Sequence, residues 1–411
     1  MPTFQYLIIT ILSIHFLLGL VTKFLNLRAM SPYLPDEFKD TYDQEKYTQS
    51  QNYLKDNTRF SLISESFSFI CTVIFLLFIL KPLYQIINPW TANPILQAMF
   101  YLGSLALVSL ILELPFSYYR TFIIEEKYGF NKTSLTTFIL DRVKGLILGG
   151  IIGSLILGAL LYFFINTGLW AWIYCWIFFF ALQLILQYLI PTYILPLFNK
   201  FTPLPEGELR SEIETYSLQQ KFELNGIFTM DGSKRSTKAN AFFTGFGKMR
   251  RIVLFDTLIK NQTNHELVAI LAHEMGHCQL KHIQKSLISS FFVSGLTFFF
   301  MSFILNSSVI YTDFGLTEPV IYLGLIFFSL LFSPLSLILS LLGNCKSRKH
   351  EFEADAYSAK TYGQPEALIS ALKKLSVDNL SNLTPHSLVV FLEYSHPPVL
   401  LRIEALRNKA S

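Results

Sequence analysis

The segment Leu271-Ala272-His273-Glu274-Met275-Gly276-His277 concentrates the residue types most able to do chemistry in this chain. On a helix, positions i and i+4 stand one above the other on the same face, so His273 and His277 can aim both imidazoles at one ion. Zinc takes such nitrogens at about 2.0–2.1 Å and keeps a fourth position for water in catalytic sites. Glu274 adjoins the first histidine, where its carboxylate could take a proton from that water. A bare H-E-x-x-H also arises by chance in unrelated chains. Here a helix is expected independently: Thr263 and Glu266 make a capping box, and Leu267, Ile270 and Leu271 follow at helical spacing. His265 and His282 fall off the shared face or too far along it, and read as solvated or capping histidines.

Two histidines do not complete a zinc site. Further on, His350-Glu351-Phe352-Glu353-Ala354-Asp355 again sets two carboxylates, Glu351 and Asp355, at i and i+4 on an expected helix. Glu351 can supply the third ligand, and Asp355 can accept the spare ring N–H of a ligating histidine, fixing its tautomer. The competing reading is a solvated acidic helix start, which suits Glu353. Cys278 reads as a small apolar filler. The four cysteines are far apart and lack C-x-x-C spacing, so neither a disulfide framework nor a cysteine zinc site is expected.

The elements that must hold these residues are set in lipid. Hydrophobic residues make up 52% of the 411 positions and charged ones 15%, against about a quarter charged in soluble domains. A net charge of +4 without a dense Lys/Arg run gives no reason to expect nucleic acid as a partner. Spanning helices need about 20 apolar residues, and seven segments qualify: roughly 4–24, 61–80, 95–118, 144–166, 169–193, 287–309 and 320–342. The first has no preceding basic residue or small-residue cleavage site, and reads as a retained span. Lys and Arg crowd the loops on one side, including 200–285 and everything after Lys346, while Lys81 is nearly alone on the other. The positive-inside rule then puts the C-terminal region in the cytoplasm and the N-terminus outside or in a lumen.

The fold expected is mainly α, a seven-transmembrane-helix protein with a cytoplasmic-side zinc metalloprotease domain containing a small β-sheet. Residues 1–195 hold spans one to five, 196–286 the first part of the protease domain, 287–342 spans six and seven, and 343–411 the second part with the third ligand. Within 196–286, Ile227-Phe228 and Met230 run into a turn at Asp231-Gly232 and Arg251–Phe255 reads as a second strand, together a hairpin. His15, Glu65 and Glu113 lie within apolar stretches. They either face a wet interior or reach the interface.

The run Lys234-Arg235-Ser236 through Asn240-Ala241-Phe242-Phe243, the segment Arg251–Thr257, the H-E-M-G-H motif and Glu351-Phe352-Glu353-Ala354-Asp355 resemble the type I CAAX prenyl endopeptidases, integral-membrane zinc proteases of the gluzincin group. Ile124–Lys132, Pro196–Phe201 and Tyr394-Ser395-His396-Pro397-Pro398 add to the likeness, which runs from about residue 30 to the C-terminus. The resemblance implies seven membrane helices around a water-filled chamber and one zinc ion at its cytosolic end. The implied activity is removal of the last three residues of prenylated C-a-a-X proteins. It maps zinc ligands onto His273, His277 and Glu351, the catalytic glutamate onto Glu274 and its acidic partner onto Asp355. It makes Asn240-Ala241-Phe242 a substrate-binding edge strand. It sets His396 and Arg402 near the zinc, able to bind an oxyanion or a substrate carboxylate. On the residues alone, His396 before Pro397-Pro398 also suits a structural turn, and Arg402 a surface ion pair.

The expected partners are a peptide or prenylated protein C-terminus and the bilayer. The membrane would be the endoplasmic reticulum in a eukaryote, and the inner or plasma membrane if the short loops mark a bacterial relative. Two rivals stand beside this reading. One is a membrane quality-control protease of the same clan, which typically has fewer spans. The other is a transporter or receptor with a vestigial metal site, against which the chain shows no repeat symmetry.

Overall fold

The seven apolar segments become six unbroken helices of membrane-spanning length and one bent span among the described residues. A computed structural model describes residues 3–244 and 251–410. The first span is α1 (Thr3–Arg28). The second runs from Gln44 to Trp90 through α2 (Gln44–Ile74), a π-helical turn and α3 (Leu80–Ile87). The third comprises α4 (Pro94–Tyr119) and a further π-helical turn. The fourth is α5 (Leu135–Asn166), and the fifth is built on α6 (Ala171–Leu189). Ile111, Ile147, Leu155 and Ile177 on these helices point outward. A hydrocarbon surrounding tolerates such a surface because helices satisfy their own backbone hydrogen bonds.

A four-stranded sheet follows, made of β1 (Phe201–Pro203), β2 (Ile227–Met230), β3 (Ala241–Thr244) and β4 (Arg251–Phe255), with α7 (Glu208–Gln219) between the first two strands. The strand order is β1-β2-β4-β3, which leaves β3 at an edge. The expected hairpin of β2 and β4 does not form. These strands pair in parallel, Ile227 beside Ile252 and Met230 beside Phe255. The chain makes the crossover that a parallel pair requires, through a 3₁₀ turn at Gly232–Lys234 and β3, which pairs antiparallel with β4. Apolar strand patterns carry no direction, so they could not distinguish the two pairings.

After α8 (Asp256–Asn261), α9 (Asn264–Gln279) starts on the expected capping box, with Thr263 and Glu266 bonding each other's backbone. The sixth span, α10 (His282–Leu305), leads through α11 (Ser308–Asp313) to α12 (Ile321–Leu331). Next comes α13 (Ser333–Tyr362), which meets α12 at 54°. Pro334, in the first turn of α13, has no N–H to give the Leu330 carbonyl, and the Ser333 hydroxyl donates to that carbonyl instead at 2.8 Å. The chain ends in α14 (Pro365–Asp378), α15 (Ser387–Glu393) and α16 (Val399–Ala410).

The protease domain has its own apolar core, where Leu267, Val268, Leu271 and Met275 of α9 pack against Ile252 and Leu254 of β4. Helix α9 also lies tight on α13. A Cβ on Gly276 would come within 3.1 Å of the Tyr357 Cβ and 3.2 Å of the Ala354 Cα, tighter than side chains ordinarily pack, so glycine permits the close approach without a shift of the neighbours.

Candidate metal centre

The α9–α13 contact brings three donors together. His273 Nε2 lies 3.2 Å from His277 Nε2. Glu351 Oε2 is 3.5 Å from His273 Nε2, and Glu351 Oε1 is 3.3 Å from His277 Nε2. Donors placed tetrahedrally around zinc at its usual nitrogen and oxygen distances stand about 3.3 Å apart. The triangle therefore fits such an ion, and the ligand set, two imidazoles and a carboxylate, suits zinc among the divalent metals.

Each element contributes one part. The i, i+4 spacing on α9 stacks the two histidines, and Glu351 faces them from the buried side of α13 together with Asp355. Asp355 Oδ1 accepts from His273 Nδ1 at 2.8 Å. Arg402 of α16 clasps the same carboxylate with two bonds, Nε to Oδ2 at 2.8 Å and Nη2 to Oδ1 at 2.6 Å. Its Nη1 lies 3.3 Å from Glu351 Oε2. Burial disfavours charge on Arg402, but the Asp355 and Glu351 carboxylates hold the guanidinium firmly charged. Burial also pushes the Glu274 carboxyl above its ordinary range, with the neighbouring histidines pulling partly the other way.

Arg402 thus has its donors committed to carboxylates beneath the site rather than aimed at a substrate. The surface ion-pair alternative does not hold either, because the side chain is only 11% exposed. His396 has its Nε2 3.5 Å from Glu351 Oε1, and its ring is largely open to solvent. Asn240 and Ala241 at the β3 edge line one cavity of about 220 Å³ with His273, Glu274, Glu351, His396 and Arg402. Phe242 faces a larger cavity of about 1100 Å³, which runs from Glu274 and His277 into the membrane region past Phe179, Phe180, Leu186 and Phe298.

The loop ahead of β3 is tied to the spans. Arg235 bonds both Asp141 oxygens, at 2.7 and 2.9 Å, and the Asn199 side chain. Lys238 reaches Glu125 at 2.9 Å and the Tyr53 hydroxyl at 2.8 Å. These pins set where the edge strand stands relative to the donors. Glu65 pairs with Lys23 at 2.6 Å, and both line a cavity with His15, while Glu113 is exposed.

Two residues read as solvated from the sequence are part of this centre. His282 is 3% exposed, with Nδ1 3.1 Å from His277 Nδ1 and Nε2 2.9 Å from Glu353 Oε2. Helical spacing placed His282 off the ligand face, but α9 stops at Gln279 and Lys281 adopts a left-handed conformation, φ 58°, that folds His282 back toward His277. Lysine carries no marked preference for that conformation, so no local signal announced the reversal. His265 is exposed, as expected, and bonds the Tyr362 hydroxyl.

Comparison with known proteins shows the family. Residues 23–200 match a family described as CAAX prenyl protease N-terminal, five membrane helices, and residues 203–410 match peptidase family M48. The chain is 36% identical over 396 residues to a protein of Oryza sativa subsp. japonica named CAAX prenyl protease 1 homolog, covering 92% of this chain and 91% of the relative. It is 35% identical over 407 residues to CAAX prenyl protease 1 of Saccharomyces cerevisiae, covering 91% and 88%. The crystal structure of S. mikatae Ste24p superposes with a TM-score of 0.93 at 33% identity, covering 99% of both chains.

Proposed function

Because this chain belongs to peptidase family M48, among its CAAX prenyl proteases, and is a multi-pass membrane metalloendopeptidase, we propose that it takes one zinc ion on His273, His277 and Glu351 and removes the last three residues of prenylated C-a-a-X proteins. The observation that carries this reading is the donor triangle, with Glu274 and the β3 edge opening on the same cavity. Bound there, zinc would supply Lewis-acid polarisation of the scissile carbonyl and a water of lowered pKa.

The chain's own groups divide the remaining work. A substrate backbone adds to the free edge of β3 at Asn240, Ala241 and Phe242, as extended peptides do on exposed sheet edges. Glu274 takes the proton of the attacking water and returns it to the leaving amine, general acid–base work of the kind that contributes about 10²–10⁴-fold. His396, exposed beside Glu351, donates toward the developing oxyanion. Arg402 positions: it locks Asp355, which orients His273. The larger cavity, apolar on its membrane side, accommodates the prenyl chain. Loop charge supports a cytoplasmic active site, in the endoplasmic reticulum membrane if the host is eukaryotic.

Cleavage-site mapping by mass spectrometry tests the proposal. Purified protein should release the three C-terminal residues from a farnesylated C-a-a-X peptide and cut the bare peptide far more slowly. Scattered cleavage of an unprenylated unfolded protein at a comparable rate would favour the quality-control reading instead.

A further inference from the structure

We infer that His282 and Glu353 form a positioning relay that sets the tautomer of His277, an inference that rests on the reading of His277 as a metal ligand. A carboxylate only accepts hydrogen bonds, so the 2.9 Å contact to Glu353 Oε2 places a proton on His282 Nε2. A neutral imidazole with one nitrogen donating has the other as acceptor. His282 Nδ1 therefore accepts, and among the described residues the donor it meets, at 3.1 Å, is the Nδ1–H of His277. With its proton fixed there, His277 must present the Nε2 lone pair, which is the atom that faces His273 and Glu351. Asp355 does the same for His273 directly. Both ligand tautomers are thus set from α13, one in a single step and one through an intervening ring, because His277 lies a helical turn further along α9.

His350 completes the arrangement. Its ring stacks on His282 with centroids 4.0 Å apart and planes 3° from parallel, which holds the His282 plane in line with both of its partners. His282, His350 and Glu353 also lie close enough together to be considered a second metal cluster. The geometry speaks against that. Both nitrogens of His282 already have partners, and lone pairs in two stacked, nearly parallel rings run side by side instead of converging on an ion.

The test uses the full chain in lipid nanodiscs, stripped of metal and titrated with Zn²⁺ against a competing chelator, with Co²⁺ absorption as a second readout. Loss of a partner behind a metal-ligating histidine typically costs 10–100-fold in metal affinity. Glu353→Ala and His282→Phe should each weaken Zn²⁺ binding about 10-fold or more and perturb the Co²⁺ ligand-field bands. The double variant should be no weaker than the worse single one, because both remove the same chain of bonds. Glu353→Gln, which keeps an acceptor oxygen, should recover most of the affinity. Across these variants the loss of metal affinity should not track the thermal midpoint of the metal-free protein, which a merely structural role would require. Wild-type affinity in both single variants, or full additivity in the double, overturns the relay. So does loss of a second metal equivalent in His350→Phe, which retains the stack. A wild-type chain that takes up no stoichiometric metal would instead defeat the proposed function itself.

Discussion

A carboxyl that must accept a proton and hand it on works best when its affinity for that proton lies near the working pH. Burial moves Glu274 in that direction. Glu274→Gln keeps shape and hydrogen-bonding capacity but cannot take the proton, so turnover should fall by at least about 10²-fold. Metal content, measured by atomic emission, should stay at the wild-type level. Arg402 belongs to a different class of residue, since its two bonds to Asp355 hold a buried negative charge in place. Removing one partner of such a pair strands the other, typically at a cost of about 3–5 kcal/mol. Arg402→Met should therefore lower both the thermal midpoint and the metal affinity. Arg402→Lys, which keeps the charge and loses the fork, should fall between Met and wild type.

At the scale of elements, the site is the contact between α9 and α13, and Gly276 sets its distance. A methyl group there meets the Ala354 backbone, which cannot move aside as a flexible side chain would. Gly276→Ala should separate the two ligand-bearing helices by a few tenths of an ångström and cost about 1–3 kcal/mol. Chelator competition should report the weakened metal binding before any unfolding is seen. This is also where legibility in the sequence divides. His273, His277, Glu351 and Asp355 were readable: helical spacing puts each pair on one face, and the family resemblance joins the two pairs. His282 and Glu353 were not, because their encounter depends on one lysine in a left-handed conformation and on two helices distant in sequence. Arg402 was legible, through the family resemblance, as a neighbour of the metal site, but its clasp on Asp355 is displayed only by the packed fold. The spans were plain from their apolar length. The parallel pairing of β2 with β4 was not, since direction is decided by the crossover rather than by the strands.

For the whole molecule, the spans and the protease domain interlock, because the loop carrying Arg235 and Lys238 is fastened to span residues Asp141 and Glu125. The orientation proposed from loop charge can be checked directly. In a cysteine-free background, a cysteine at Glu208 should react with an impermeant maleimide only from the cytoplasmic face of sealed vesicles. One at Glu318, in the loop between the sixth and seventh spans, should react only from the opposite face. The reverse pattern would invert the topology.

The 54° joint ahead of Ser333 divides the seventh span into a short inner rod, α12, whose Tyr322, Leu323 and Phe327 are buried, and the longer rod α13, which exposes Ile338 and Leu342 before it reaches Glu351. Hydrophobic mismatch changes the tilt of a transmembrane helix, and a joint at this point would let α12 lean while α13 stays packed on α9. Turnover in short-chain and long-chain phospholipids should accordingly differ by no more than a few-fold, even where the spans themselves must lean to fit.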